Sequence, residues 1–260
     1  MYAVGHLALG YLSGRAASKM ANVNTNIHLL FVASIIPDLD LLIPYFTHRG
    51  PTHSVPIIIL LFLPTFLLCG KRVVPYFTAL ISHSVIGDLM TDEGVQLLWP
   101  INHIWYGGGI EATGLANILL EWFFFLAFLA IMFSTNDVLI LFQRHLTNFL
   151  LLIPIFTVLL PTVLSFPRHV PTALFIPHVA CLLIFTIPVL IDLIPKKKSN
   201  EMNQKKAHFI DVMLSGTLVA RASTCVSYGE VGSICKSLNS FINFFSTCFS
   251  RIDMLAKVNA

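Results

Sequence analysis

Charge is scarce in this chain. Asp, Glu, Lys and Arg make up 11% of its 260 residues, against about 25% in a soluble domain. The five cysteines form no CxxC or CxxxC pair, and nothing in their spacing demands a disulfide. No GxSxG elbow, Walker loop or HExxH helix is present, so serine-hydrolase, P-loop and zincin chemistry have little support. There is no internal repeat and no low-complexity tract. Residues 1–20 lack a basic start followed by a clean apolar core, so no cleavable signal is expected. The net charge of +3 reflects where the lysines lie and is not a nucleic-acid signature; no nucleic-acid partner is expected.

Apolar residues are abundant instead. The chain is 56% hydrophobic with 21 Phe, and its mean hydropathy is +0.79. This predicts an all-α, polytopic integral membrane bundle in the cell membrane, with the lipid bilayer as its surroundings. A span needs about 20 apolar residues. Five to six segments come near that length: 27–47, which carries Asp38 and Asp40 and reads as short or broken, 54–69, 73–89, 115–133, 149–166 and 173–194. Residues 3–20 form a further helix, rich in Gly and Ala and suited to close packing; its capacity to span is left open. Prolines inside the runs, among them Pro64, Pro154, Pro161 and Pro188, predict kinks. The expected division is a membrane domain over 1–195 and a basic stretch and tail over 196–260, weakly helical or disordered.

Basic residues suggest an orientation. If the loop at 70–72 is cytoplasmic, Arg15, Lys19, Lys71, Arg72, Arg144 and the lysines at 196–198, 205 and 206 share its side, and only Arg49 and Arg168 face outward. The positive-inside rule favours this arrangement, with a cytoplasmic tail.

Within 1–105, six potential metal ligands accumulate: Asp38 and Asp40 in PDLD, His48 and His53 in HRGPTHS, His83 and Asp88 in HSVIGD. Imidazole and carboxylate suit zinc, manganese and iron, and ionisable groups beside long apolar runs are functional candidates. Each motif has a plainer reading: a polar helix end capped by Asp38, an interfacial loop meeting lipid headgroups, a histidine hydrogen-bonded within the bundle. The span order sends all three segments to one face, extracytoplasmic by the charge count. Two details bear on geometry. PDLD has its acids at i and i+2, which point apart on an intact helix. His83 and Asp88 are five apart, where four would stack better, and Gly87 allows a local widening. Arg49 suits a phosphate or carboxylate. Asp92 and Glu93 read as a solvated turn, Trp99 as an interfacial anchor, and Glu121 as a group facing the bundle. His28, His145, His169, His178 and His208 have no companions at ligand spacing.

His6, PDLD, HRGPTHS, SH…GDLMT (82–91) and GVQLLWP (94–100), in that order, resemble the YdjM-like family of membrane proteins, described as predicted membrane-bound metal-dependent hydrolases. The resemblance covers about 1–105. It implies that His6, Asp38, Asp40, His48, His53, His83 and Asp88 stand at the family's characteristic polar positions.

The residues and the resemblance together predict one or two divalent ions per chain, zinc first, with manganese or iron as alternatives. Seven ligands exceed the four of one zinc, so either two ions share the site or some residues orient the others. The expected chemistry is hydrolysis of an ester or phosphoester, lipid-derived or not. Asp40 or Asp88 is the candidate general base and Arg49 the group facing developing negative charge. Two other classes compete: a transporter or ion-conducting protein using the same cluster, and a non-enzymatic membrane protein with a structural metal. No protein partner is indicated.

Overall fold

Runs of Leu, Ile, Phe and Val in lipid have one single-segment way to satisfy their backbone polar groups, the α-helix. The computed structural model describes residues 1–43, 47–164 and 169–194. Among these the chain is helical, with two isolated bridges, Thr91 to Ile110 and Val95 to Tyr106, in the loop 89–114 in place of any strand. The tail 196–260 and Arg168 lie outside the described residues, and so does the tail's orientation.

Two helices come first, α1 (Ala3–Ala21) and α2 (Ile27–Ile35), followed by a tight 3-10 turn (Pro37–Leu42). After a second 3-10 turn (Pro51–His53), α3 (Val55–Cys69) and α4 (Val74–Ser82) form an antiparallel pair, and α4 continues as a π-turn (His83–Asp88). Then come α5 (Leu115–Ser134) and α6 (Asp137–Leu141). The next helical stretch joins a 3-10 turn (Leu146–Leu151), α7 (Leu152–Pro154), a π-turn (Ile155–Leu159) and α8 (Leu160–Val163); α9 (Phe175–Leu193) ends the described chain.

Among the described residues four helical stretches are long and apolar enough to cross a membrane: Val55–Asp88, Leu115–Ser134, Leu146–Val163 and Thr172–Leu193. The expected count was higher for two reasons. The runs 54–69 and 73–89 fall in one apolar stretch that folds back at Gly70, where φ is 59°, so that its two ends meet on the same side at His53 and His83. The run 27–47 makes no long helix, because α2 has nine residues and Pro37 follows it into the tighter turn.

The small residues of α1 explain its central place against α2, α4 and α5. A Cβ on Gly10 would meet the Ser34 Cβ at 2.1 Å, and one on Gly14 would meet Leu30 Cδ2 at 2.5 Å. Only glycine lets α1 and α2 approach this closely. Around that contact the core is aromatic: Tyr11 stacks on Phe31 at 5.6 Å, and Phe31 meets Phe128 at 5.8 Å and Phe185 at 4.6 Å. The outer surface is apolar too. Leu60, Leu61 and Leu67 of α3 are each more than 60% exposed, a patch that calls for lipid rather than water.

The contacts define two ends. At one, Tyr2 meets Glu121, Trp122 meets Ala173, and the 3-10 turn Pro37–Leu42 packs on the π-turn Ile155–Leu159. At the other, Arg15 pairs with Asp137 at 2.9 Å, Asn148 bridges His28 and Asp192, and Lys71 and Arg72 turn α3 into α4.

Candidate metal centre

Pro37 ends the α-helical hydrogen bonding of α2, and the 3-10 turn that follows carries both acids of PDLD into the protein. Asp38 and Asp40 are buried, while Leu42 and Ile43 stay exposed. The two carboxylates serve different partners. Asp38 turns to the Nε2 atoms of His53 and His83. Asp40 turns to His48 Nδ1 (2.9 Å), the Thr52 hydroxyl (2.6 Å) and His53 Nδ1 (3.4 Å).

HRGPTHS achieves its fold-back through Arg49, which sits in the left-handed region at a φ of 62°. A non-glycine there is uncommon and costs of order 1–3 kcal/mol, the kind of strain concentrated at functional sites. The Arg49 carbonyl accepts from the Gln96 N–H at 2.9 Å, which pins the turn to the loop 89–114. His48 and His53 then lie edge to face, 5.3 Å apart. Ser54 caps α3 and donates to the Trp99 carbonyl.

The third piece is the π-turn. Its wider winding puts residues five apart on one side, so His83 Nε2 comes within 3.3 Å of Asp88 Oδ2. The widening anticipated at Gly87 is therefore present, and Gly87 has a second use. A Cβ there would lie 2.5 Å from His6 Cε1, and the His6 ring fills that space, stacked on His83 at 3.8 Å.

Four atoms converge: Asp38 Oδ1, His53 Nε2, His83 Nε2 and Asp88 Oδ2. Five of their six separations are 3.4, 3.4, 3.2, 3.3 and 3.2 Å. A tetrahedral ion with bonds of ~2.0–2.1 Å has ligand–ligand edges of about 3.3–3.4 Å. The tautomers agree with this. His83 Nδ1 donates to the Ser34 carbonyl at 2.7 Å, and His53 Nδ1 faces Asp40 and Thr52. The two Nε2 atoms thus face each other at 3.2 Å, across a gap that a shared proton fills in the metal-free chain and that a divalent ion would fill in its place. Neither oxygen of Asp88 accepts a hydrogen bond, although both are buried. The donor set fits a divalent ion on these grounds. Two overlapping groups, His6 with Asp38 and His83, and Asp38 with His48 and His53, also have ligand atoms within 4.8 Å of one another.

Electrostatics point the same way. Burial alone would raise the Asp38 and Asp40 carboxyls, but neighbouring imidazoles outweigh it and hold both below the usual carboxylate range. Burial alone would lower His53; the hydrogen bonds to Asp38 and Asp40 reverse this and raise it.

Around the quartet, Arg49 reaches Asp88 Oδ1 (Nε, 3.2 Å), Glu93 (Nη1, 2.7 Å) and the Thr91 hydroxyl (3.0 Å). His6 Nε2 is 3.5 Å from Asp88 Oδ1. A cavity of ≈ 50 Å³ adjoins these groups, with His6, Asp38, His48, Arg49 and Asp88 on its polar side. All seven residues singled out as metal ligands are thus in one cluster.

Some contributors were not foreseen. Ser34 acts through its carbonyl and Thr52 through a hydroxyl next to a histidine, neither of which leaves a sequence signal. Glu93 pairs with Arg49 and is more than a solvated turn. His28 and His145 take hydrogen-bond partners from distant segments. His28 Nε2 donates to Asn148 Oδ1 at 2.7 Å and His145 N–H donates to Asp192 at 3.3 Å, a network at the far end of the bundle. Glu121 faces the bundle as expected, accepting from the Tyr2 N–H at 2.5 Å and from Asn117 Nδ2 at 3.2 Å.

The family model described as YdjM inner membrane protein matches residues 1–170. The chain belongs to that family of inner membrane proteins, and the match extends well past the 105 residues whose motifs carry the resemblance. No curated protein and no solved structure matches the chain.

Proposed function

We propose that the chain is a membrane-bound metal-dependent hydrolase, with Asp38, His53, His83 and Asp88 as the ligands of one divalent ion. The convergence of those four atoms, with five separations of 3.2–3.4 Å, supports the reading. Zinc is the first choice for two nitrogens and two oxygens at this spacing; manganese and iron are the alternatives. When bound, such an ion lowers the pKa of a water and polarises the scissile group.

The remaining residues divide the work. Asp40 accepts from His48 Nδ1, which leaves His48 Nε2 as the lone pair that faces a substrate. His48 lines the cavity and is the general base of this reading, with Asp40 orienting both His48 and His53. In hydrolysis the water oxygen bonds to the phosphorus or carbonyl carbon and the bond to the leaving oxygen breaks. His48 takes the water proton and returns it to that oxygen. Arg49, held by Glu93 and Thr91, presents its guanidinium to the developing charge. His6 supports His83 by stacking. The positive-inside balance supports an extracytoplasmic site and a cytoplasmic tail.

One observation favours a second reading, a structural metal: four protein side chains converge, and structural zinc sites take all four ligands from the protein. The cavity beside the quartet, with the His48–Asp40 pair on its wall, favours catalysis. Elemental analysis of detergent-purified protein beside His53→Ala, with a panel of carboxylic and phosphoric esters, separates them. One to two equivalents of metal, lost in the variant, together with metal-dependent turnover, support the hydrolase. Bound metal without turnover supports the structural site. Full metal content in His53→Ala sinks both.

A further inference from the structure

The cavity is too small for a whole substrate. Pockets that enclose a drug-sized ligand measure about 300–1,000 Å³; this one measures ≈ 50 Å³. Only the scissile group fits, and the rest of the molecule must lie along the rim. Besides its polar groups, the cavity is lined by Met1, Tyr2 and Ala3 and by a wall of Leu41, Val158 and Thr162. The Thr162 hydroxyl is spent on the Val158 carbonyl.

This wall belongs to the membrane. Val158 and Thr162 lie in the stretch Leu146–Val163, which is long and apolar enough to cross a bilayer. Its π-turn Ile155–Leu159, between Pro154 and Pro161, packs against the 3-10 turn that holds Asp38 and Asp40. On the outer side of this junction Leu42, Ile43 and Phe156 are exposed, at 55%, 43% and 60%. Apolar side chains therefore continue from the exposed Leu42, Ile43 and Phe156 to Leu41 and Val158 at the cavity. A water-soluble ester has no group to place there, whereas the tail of a lipid held in the leaflet can lie along them without entering water.

We infer that the substrate is a lipid phosphoester, its phosphate between Arg49 and the metal ligands and its acyl tail in the seam between the turn Pro37–Leu42 and the stretch Val158–Thr162. The inference rests on the hydrolase reading for turnover but not for binding. It makes the enzyme one that takes its substrate sideways from the leaflet.

The test uses the full chain in mixed micelles with phosphatidic acid carrying a photoreactive acyl chain, with zinc and after chelation, and peptide mapping of the adducts. Turnover of phosphatidic acid and of bis(p-nitrophenyl) phosphate is followed in parallel. Adducts within 39–43 and 155–163, together with a preference for the lipid, are the expected result. Leu42→Asn, at an exposed position where folding is not at stake, and Val158→Met should each weaken the adducts. Each should also reduce the preference for lipid over the soluble ester, Leu42→Asn by making the surface polar and Val158→Met by filling the cavity wall. Adducts without turnover of either ester keep the lipid site and overturn the hydrolase. Turnover of the soluble ester with no adducts and no lipid preference overturns this inference and keeps the hydrolase. Neither adducts nor turnover overturns both.

Discussion

Gly87→Ala is the substitution that interrogates the centre without touching a ligand. In an ordinary helix it would stabilise by about 0.5–1 kcal/mol, because alanine loses less backbone entropy than glycine. Here the new methyl would lie 2.5 Å from His6 Cε1 and 2.6 Å from Nδ1. The His6 ring is buried and stacked on His83 at 3.8 Å, so giving way to the methyl breaks that stack. Overpacking of this kind costs about 1–3 kcal/mol, so the expected net change is a destabilisation of about 0.5–2 kcal/mol. Part of it falls on His83, so zinc affinity should drop by roughly tenfold for each 1.4 kcal/mol lost there. The assay is a double-mutant cycle with His6→Ala, read by thermal unfolding in detergent and by zinc competition. In the His6→Ala background the methyl has space, and Gly87→Ala should become stabilising. The sign change is the signature, with a coupling of about 1–3 kcal/mol. An equal effect of Gly87→Ala in both backgrounds would refute the claim that Gly87 exists to admit His6.

Other outcomes follow from the same geometry. Asp40→Asn removes the carboxylate that orients His48 and His53, and metal affinity by chelator competition should fall about 10–100-fold; less than a twofold change would remove Asp40 from that role. The metal-free chain holds a proton on His53, whose pKa is raised above its ordinary value. That pairing stabilises the metal-free fold below the unfolded histidine value and is lost as pH rises through the raised one. Because the ion displaces the proton, zinc affinity should rise with pH up to that raised value, by up to about tenfold per unit; calorimetry in buffers of different ionisation enthalpy would reveal the released proton, and a flat profile would contradict it. Gly10→Ala meets Ser34 Cβ at 2.1 Å and should destabilise by about 1–3 kcal/mol. Metal should be lost in parallel, because the Ser34 carbonyl holds His83. Chelation should lower the thermal midpoint, and zinc at 100 times its Kd should restore about 2.7 kcal/mol.

Much of this arrangement was legible in the residues. Long apolar runs specify helices in lipid because no other local structure satisfies the backbone there. The order of spans brings PDLD, HRGPTHS and HSVIGD to one face, and they do cluster. The segment count was less legible, because hydropathy registers apolar residues and not the Pro37 stop after nine residues of α2 or the left-handed Gly70. His28 looked solitary because its partner Asn148 is 120 residues away. Glu93 looked solvated because its partner Arg49 reaches it only from a left-handed turn.

By itself the sequence determined the class of protein and the chemical kinds of its ligands, since burial cost and ligand chemistry follow from residue type. Only the tertiary structure decided their division of labour. Asp38 and Asp40 are two residues apart and chemically identical, yet one lies against the Nε2 atoms of His53 and His83 and the other against the Nδ1 atoms of His48 and His53. Which does which depends on the tight turn after Pro37, the left-handed Arg49, the π-turn that brings His83 and Asp88 to one side, and the close approach of α1 and α2 at Gly10. Those are distances between segments far apart in the chain, and no local pattern of residues encodes them.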